Sequence, residues 1–188
     1  MKRAVFLDRD GVLIQQVHHL HRALDVRLLP GAAEALRALR EGGYLAIVVT
    51  NQSAVARGLC SELELAGIHQ RLAALLREQG AALDDLFYCP HHPTEGEGAL
   101  RIDCACRKPA PGMLLEAQRR HELDLGASWL VGDKGSDVEA AHRAGCKAIL
   151  VSTGHGAAEL ARGLAPLERP DAVCADLAEA AGLLLRAP

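Results

Sequence analysis

Short runs of consecutive apolar residues alternate along the chain with longer segments in which apolar residues recur at helical spacing. The apolar runs, which are typical of buried parallel strands, fall at 4–7, 45–50, 86–88, 129–131, 147–151 and 172–174. The helical segments lie between and after them, from Pro30 to about Gly42, over 61–79, 111–121 and 136–144, and from Asp176 onward. This alternation predicts a three-layer, Rossmann-like α/β fold, with a central, mostly parallel sheet and helices on both faces.

Local signals mark where two of the helices begin and end. Ser61 is followed three residues later by Glu64, which is the capping-box pattern of a helix N-terminus. Gly42 and Gly43 follow the preceding helical segment, as glycine does at helix C-termini. Residues 89–110 contain Cys, His, Gly and Pro and show neither strand nor helix periodicity.

Length and charge narrow the class of protein. The chain has 188 residues, which suits one domain, and we expect 1–188 to fold as a single unit with a metal-binding loop at 89–106. The net charge of −3 argues against nucleic acid or an anionic membrane as the main partner, because both attract basic surfaces. The chain meets Asp8 after only four apolar residues. That run is too short for the apolar region of a secretory signal, so we expect a cytoplasmic protein. We also expect a monomer.

Polar side chains follow the ends of four predicted strands. They are two acids after the first strand, a hydroxyl and an amide after the second, a lysine in the loop after the third and an acid after the fourth: Asp8, Asp10, Thr50, Asn51, Lys108 and Asp133. Ligands of open parallel sheets bind beyond the carboxyl ends of the strands. We therefore expect these side chains to meet at one edge of the sheet.

This set of groups suits the chemistry of a phosphate ester. Hard carboxylate oxygens are ligands for Mg²⁺, which shares its coordination shell with substrate phosphates. A carboxylate such as Asp8 can be a nucleophile, and Asp10 can protonate a leaving alcohol and later deprotonate water. Lys108 supplies a compact positive charge for the phosphate. An isolated Asp-x-Asp is usually a solvated turn, so the prediction depends on all four strand ends together.

The chain resembles the haloacid dehalogenase (HAD) superfamily of phosphohydrolases in four motifs. These are DRDG at 8–11, TNQS at 50–53, CRKP at 106–109 and GDKGSD at 132–137. The resemblance implies that Asp8 becomes an aspartyl phosphate and that Asp10 is the general acid and base. It implies a Mg²⁺ site made by the Asp8 carboxylate, the Asp10 backbone carbonyl and Asp133. It assigns the phosphoryl group to Thr50, Asn51 and Lys108. We also expect Lys134, which follows Asp133, to bind substrate or phosphate.

The loop at 89–106 carries two chelating pairs. Cys89 and His91 form the first, and Cys104 and Cys106 form the second, twelve residues later. Three thiolates and one imidazole fit a closed, structural Zn²⁺ site, and the alternative is a cluster of buried thiols. His92 is adjacent to His91 and could replace it. The loop leads directly into Arg107 and Lys108, so zinc would order the phosphate-binding cations.

A Cys-x-His and Cys-x-Cys zinc loop resembles two subgroups of HAD phosphatases. They act on D-glycero-D-manno-heptose 1,7-bisphosphate and on histidinol phosphate, and the long gap between the pairs here is similar to the heptose subgroup. That resemblance implies removal of the C7 phosphate, in the ADP-heptose branch that feeds lipopolysaccharide cores or in the GDP-heptose branch. A bisphosphate needs a second anion site, for which Arg57 and Arg107 are the candidates.

Two rival classes share part of this pattern. A phosphoacceptor signalling domain also uses strand-end acids and a lysine, but it needs neither Asp10 nor a zinc loop. A dehalogenase does not need the Mg²⁺ ligand Asp133. The short spacing between Gly11 and the next acid leaves no place for a cap domain, so we expect loops to close over the substrate.

Overall fold

The computed structural model describes residues 1–186 and contains one six-stranded sheet. Its strands are β1 (Arg3–Leu7), β2 (Tyr44–Asn51), β3 (Asp85–Cys89), β4 (Trp129–Gly132), β5 (Lys147–Val151) and β6 (Ala172–Cys174). The helices are α1 (Ala32–Glu41), α2 (Glu62–Glu78), α3 (Gly112–His121), α4 (Gly135–Ala144), α5 (Gly156–Arg162) and α6 (Leu177–Arg186). Every predicted strand and helix is present within a few residues of its expected limits.

The sheet is parallel throughout and has the strand order β3-β2-β1-β4-β5-β6. The chain builds outward from β1 to β3 on one side and then returns to place β4 on the other side of β1. The strand order therefore reverses between β1 and β4. In open α/β sheets this is the place where a crevice forms for a ligand, so the topology puts Asp8 and Asp133 beside each other.

The two faces of the sheet are covered by different helices. Val5 and Leu7 of β1 lie in a core shared with α1, α2 and α6. Ala4 and Phe6, the alternating residues of the same strand, lie in a second core with α3 and α4. Burial on both faces explains why the strands show consecutive apolar residues, and it confirms the three-layer fold.

The predicted helix signals are confirmed, and the structure contains one short helix that was not predicted. Ser61 and Glu64 form a capping box in which each side chain bonds the backbone N–H of the other. The short helix α5 was not predicted, because Gly156 is its only buried residue among those described. An amphipathic pattern cannot appear where so little of a helix is buried.

The connection between β1 and α1 spans residues 8–31. It contains a 3₁₀ turn at Ala23–Asp25 and an isolated bridge between Ile14 and Leu28. This connection bears His18 and His19 on the rim of the sheet edge. Among residues 1–186 no helix is both long enough and apolar enough to cross a membrane.

Candidate active site

A cleft of about 530 Å³ lies at the carboxyl ends of the central strands. Most of the residues predicted to carry the chemistry line it: Asp8, Asp10, Thr50, Asn51, Arg107, Lys108 and Lys134. Asp137 and His155 add to the lining from α4 and from the loop before α5. The sheet edge predicted from the sequence is therefore the floor of a real cleft.

Lys108 is the buried cation at the floor of this cleft. Its Nζ atom lies 3.1 Å from Oδ1 of Asp8 and 2.5 Å from Oδ1 of Asp137, and it donates to the Val49 carbonyl at 2.7 Å. Burial alone would lower the pKa of Lys108, but the carboxylates of Asp137 and Asp8 raise it. The lysine is thus held charged next to the proposed nucleophile.

The proposed nucleophile, Asp8, is held as a carboxylate. Burial alone would raise its pKa, but the charges of Lys108 and Lys134 and the backbone N–H of Arg9 keep the pKa below its usual value. The Arg9 N–H donates to Oδ1 of Asp8 at 2.8 Å. An ionised carboxylate with fixed hydrogen bonds is the form that can attack phosphorus.

Asp133 has the environment of a metal ligand. Asp8, Asp133 and Asp137 each bring a carboxylate oxygen within 4.8 Å of the others. Burial and then the charges of Asp8 and Asp137 raise the pKa of Asp133 to about 7, and its Oδ1 is buried without a hydrogen-bond partner. Three buried carboxylates repel one another unless a cation lies between them, so these residues fit Mg²⁺.

Asp137 belongs to this acidic group and is also an acid of the first turn of α4. Its Oδ2 accepts the backbone N–H of Lys134 at the start of α4 at 3.0 Å, and its Oδ1 pairs with Lys108. The carboxylate of Asp10 lies outside the group, so the predicted contribution of Asp10 to the metal site is its backbone carbonyl.

The loop between β5 and α5 holds the acids in place. The Thr153 hydroxyl donates to the Gly11 carbonyl at 2.6 Å, and the His155 N–H donates to Oδ2 of Asp133 at 2.8 Å. Gly11 has a φ of +81°, and a Cβ there would lie 2.3 Å from Oδ2 of Asp133. Only glycine allows the DRDG turn to pass this close to the metal-site acid.

Thr50 and Asn51 lie at the end of β2 but differ in what their side chains do. The Thr50 hydroxyl accepts from Nε2 of Gln52 at 2.8 Å, so its own proton can be donated into the cleft. Asn51 exchanges two hydrogen bonds of 3.0 Å with the backbone N–H and carbonyl of Lys108. Asn51 therefore fixes the segment that carries Lys108.

Four residues of the cysteine loop converge on one point. The sulfur atoms of Cys89, Cys104 and Cys106 lie 3.2 to 3.5 Å apart, and Nδ1 of His91 is 3.4 Å from the Cys106 sulfur. All four ligand atoms lie within 4.8 Å of one another. Three thiols and an imidazole at this spacing fit Zn²⁺, which prefers sulfur and nitrogen ligands in a tetrahedron.

His91, and not His92, faces the three sulfurs. His92 instead accepts backbone N–H groups of Thr94 and Glu95 within its own loop. On the other side of the cluster, Nη1 of Arg107 donates to the His91 carbonyl at 3.0 Å. The metal loop and the cleft are thus joined by a direct hydrogen bond.

Arg57 is a predicted phosphate-binding residue that does not line the main cleft. It lies in a neighbouring cleft and pairs with Glu95 at 3.3 Å. His19 lines both clefts. An anion held by Arg57 would therefore lie in a different cleft from the one that Asp8 and Arg107 line.

Several lining residues lie inside the quoted motifs without having been singled out. They are Arg9, Gln52, Ser53 and Ser136. Position within a motif was the available signal, but it does not show which way a side chain points. Gln16 and His18 line the cleft from the loop after β1, where no motif was present.

The fold and the site define a hydrolase of the HAD type. A family model described as haloacid dehalogenase-like hydrolase matches residues 5–82, and one described as HAD-hydrolase-like matches residues 105–180. Together they span the strand ends that bear Asp8 and Asp133. The chain belongs to the haloacid dehalogenase-like hydrolase family.

Relatives within this family carry a more specific name. A D-glycero-D-manno-heptose-1,7-bisphosphate 7-phosphatase of Thermosynechococcus vestitus is 43% identical over 94% of this chain and 92% of its own length. A D-glycero-beta-D-manno-heptose-1,7-bisphosphate 7-phosphatase of Pasteurella multocida is 44% identical over 82% of this chain and 84% of its own length. The chain groups with these 7-phosphatases.

A solved structure agrees with this grouping. The D,D-heptose 1,7-bisphosphate phosphatase of B. bronchiseptica, complexed with magnesium and phosphate, superposes with a TM-score of 0.87. It is 39% identical, and the match covers 99% of each chain. Similarity also extends to a relative of Photorhabdus laumondii named for the alpha anomer, at 40% identity over 84% of this chain and 86% of its own length.

Proposed function

We propose that this protein is a Mg²⁺-dependent phosphohydrolase that removes the C7 phosphate of D-glycero-D-manno-heptose 1,7-bisphosphate. The observation that carries the proposal is the buried Asp8 carboxylate, which pairs with the Lys108 ammonium and lies within 4.8 Å of the acids Asp133 and Asp137. A carboxylate so placed can attack a phosphorus atom whose oxygens are neutralised from both sides. The names of the relatives supply the sugar.

The reaction divides into two displacements on Asp8. An Asp8 oxygen forms a bond to phosphorus while the bond between phosphorus and the sugar C7 oxygen breaks, and Asp10 gives its proton to that oxygen. Water then attacks the aspartyl phosphate, Asp10 takes the water proton, and phosphate leaves. Thr50, Lys108 and the segment fixed by Asn51 hold the phosphoryl oxygens. When bound at Asp8 and Asp133, Mg²⁺ supplies charge that stabilises those oxygens.

The second phosphate of the substrate needs cations that take no part in the reaction. Arg107 lines the main cleft, and its fixed guanidinium suits bidentate phosphate recognition. Lys134, directly before α4, lines the same cleft, and Arg57 lines the neighbouring cleft. We assign the C1 phosphate to Arg107 first, because its hydrogen bond to the His91 carbonyl already orients it.

The metal loop has a structural role in this proposal. Four protein ligands at Cys89, His91, Cys104 and Cys106 leave no open position for substrate. Zinc therefore orders the loop that ends at Arg107 and Lys108. Each of the six cysteines is free in the structure, which suits the reducing cytoplasm where sugar nucleotides are built.

We further propose that the chain acts as a single domain over 1–188 and as a monomer, because one chain supplies every residue assigned to the site. Its product, a heptose 1-phosphate, would enter the ADP-heptose branch towards lipopolysaccharide or the GDP-heptose branch.

A panel of substrates tests the proposal. We would measure kcat/KM with Mg²⁺ for both anomers of the heptose 1,7-bisphosphate, for histidinol phosphate and for fructose 1,6-bisphosphate. We expect a heptose anomer to give the highest value. A higher value for histidinol phosphate would overturn the substrate, and phosphorylation of the protein without turnover would overturn the enzyme class.

A further inference from the structure

Arg9 lies between the two acids of the DRDG turn, and the proposed reaction does not use it. It is fully buried, with 0% of the residue exposed, although arginine is almost never buried without a partner. Arg9 follows Val5 and Leu7 at the two-residue spacing of a strand, and those residues lie in the core on the α2 side. The Arg9 side chain therefore points towards the core on the α2 side of the sheet, directly below the cleft that the residue helps to line.

The partner of Arg9 is the proposed acid and base. Nε of Arg9 donates to Oδ2 of Asp10 at 3.1 Å, and Nη2 donates to Oδ1 at 3.2 Å. Nη2 also lies 2.9 Å from Oδ2, so two nitrogens of one guanidinium edge hold the carboxylate and restrict its rotation. In the described part of the chain, Arg9 is the one cationic side chain that forms an ion pair with Asp10.

Gln52, the residue after β2, forms hydrogen bonds with both Arg9 and Asp10. Its Oε1 accepts from Nη2 of Arg9 at 2.8 Å, and its Nε2 donates to Oδ2 of Asp10 at 2.9 Å. The opposite orientation of the amide would place N–H groups against the guanidinium and an oxygen against the carboxylate. The network therefore allows one orientation of Gln52.

Two other titratable groups near Arg9 do not compete for it. His69 of α2 is buried, and burial together with the Arg9 charge lowers the pKa of His69 to about 3, so the imidazole is neutral near pH 7. Burial raises the pKa of the Cys60 thiol, so Cys60 is uncharged there as well. Asp10 is therefore the carboxylate that pairs with Arg9.

We propose that Arg9 is a positioning residue, which acts with Gln52 to hold the Asp10 carboxylate at one place beside the scissile bond. The hydrogen bond from Thr153 to the Gly11 carbonyl fixes the backbone of this turn, but it does not fix the side-chain rotamer of Asp10. Its own side chain is 14% exposed and reaches the cleft. A proton donor is effective only when its oxygen is within hydrogen-bond reach of the leaving group. The inference rests on the proposed phosphohydrolase function.

The dependence of the rate on the leaving group tests this role. A sugar alcohol needs a proton from Asp10 to leave, whereas p-nitrophenolate leaves without one. We expect Arg9→Met to lower kcat/KM by about 10-fold or more for the best sugar phosphate of the panel, and by less than about 3-fold for p-nitrophenyl phosphate. Arg9→Lys keeps the charge but loses the fork, and we expect it to restore part of the difference.

A double-mutant cycle with Asp10→Asn is a second test of whether Arg9 acts through Asp10. If Arg9 acts through Asp10, Arg9→Met should change the rate by less than about 2-fold in the D10N background. The matched control is Arg40→Met, which removes another two-pronged contact, from Arg40 to Asp84, far from the cleft. We expect it to leave both substrates unaffected.

Equal losses of kcat/KM for the two substrates, or equal losses in both backgrounds, would overturn the positioning role and leave Arg9 with a purely structural one. The sugar phosphate is whichever one the wild type hydrolyses fastest. A wild type that prefers another sugar would therefore overturn the heptose assignment alone. A wild type that hydrolyses neither substrate class would overturn the proposed function and this inference together.

Discussion

The Nζ atom of Lys108 lies 3.1 Å from Oδ1 of Asp8, and both side chains are buried at the floor of the cleft. The backbone of Lys108 is in turn held by the side-chain amide of Asn51 through two hydrogen bonds. A buried ion pair is stable only when its remaining hydrogen-bonding groups are satisfied, and the Val49 carbonyl satisfies the lysine further. The contact joins the nucleophile to the cation that meets the phosphate.

Replacing Lys108 by methionine tests this contact. The change keeps the volume but leaves the carboxylates of Asp8 and Asp137 buried without their common cation. We expect kcat/KM to fall by about 100-fold or more and the melting temperature to fall as well, measured by steady-state kinetics and thermal unfolding. Lys2→Met, at an exposed lysine, is the control. Activity within a few-fold of wild type in Lys108→Met would contradict the role.

The pKa of Asp133 predicts how Mg²⁺ binding depends on pH. Burial and then the charges of Asp8 and Asp137 raise this pKa to about 7, above the usual value near 4. The folded protein therefore holds the proton more tightly than the unfolded chain. The resulting stability is present below a pH of about 4 and is lost as the pH rises through about 7.

Mg²⁺ would take the place of this proton. We expect MgCl₂ to raise the melting temperature more at a pH of about 8 than at a pH of about 6, because at the higher pH it meets an ionised Asp133. NaCl at equal ionic strength is the control. An equal or larger effect at the lower pH would show that Asp133 does not bind the metal as a carboxylate.

The Cys89, His91, Cys104 and Cys106 group predicts one tightly bound zinc per chain. We expect Cys104→Ser to lose that zinc in elemental analysis, to lower the melting temperature and to reduce activity through the adjoining Arg107. Cys174→Ser, at a buried thiol outside the group, should keep the metal. A zinc-free preparation with full activity would contradict the structural role of the loop.

The two candidate sites for the C1 phosphate, at Arg107 and at Arg57, can be distinguished by comparing two substrates. Arg107 lines the cleft of Asp8, whereas Arg57 lies in the next cleft. We expect Arg107→Met to raise KM about 10-fold or more for the bisphosphate and little for p-nitrophenyl phosphate. Arg57→Met should have the smaller effect on the bisphosphate. The reverse order would move the C1 phosphate to the neighbouring cleft.

Much of the fold could be predicted because the side chains on both faces of each central strand are buried. The pairs Val5 and Leu7, and Ala4 and Phe6, face different cores, and that is why an unbroken apolar run marked β1. The reversal of strand order between β1 and β4 could not be read from periodicity, because periodicity describes one strand at a time. The chemistry at the strand ends gave the indirect sign that these strands are neighbours.

The direction of individual side chains could not be predicted. Asn51 follows a strand as a phosphate ligand would, yet its amide is occupied by the Lys108 backbone. Arg9 lies between two acids that line the cleft and nevertheless turns into the core. Such directions are set by tertiary partners distant in sequence, Gln52 in the case of Arg9. A motif gives residue types and spacing but not those partners.

The most direct measurement is the fate of each phosphate of the heptose 1,7-bisphosphate, followed by ³¹P NMR with wild type and with Asp8→Asn. We expect wild type with Mg²⁺ to remove the C7 signal, to leave the C1 phosphate intact and to release inorganic phosphate over many turnovers. We expect Asp8→Asn, with its fold confirmed by thermal unfolding, to leave both phosphates in place. Loss of the C1 phosphate in wild type, or continued turnover in Asp8→Asn, would contradict the proposed function.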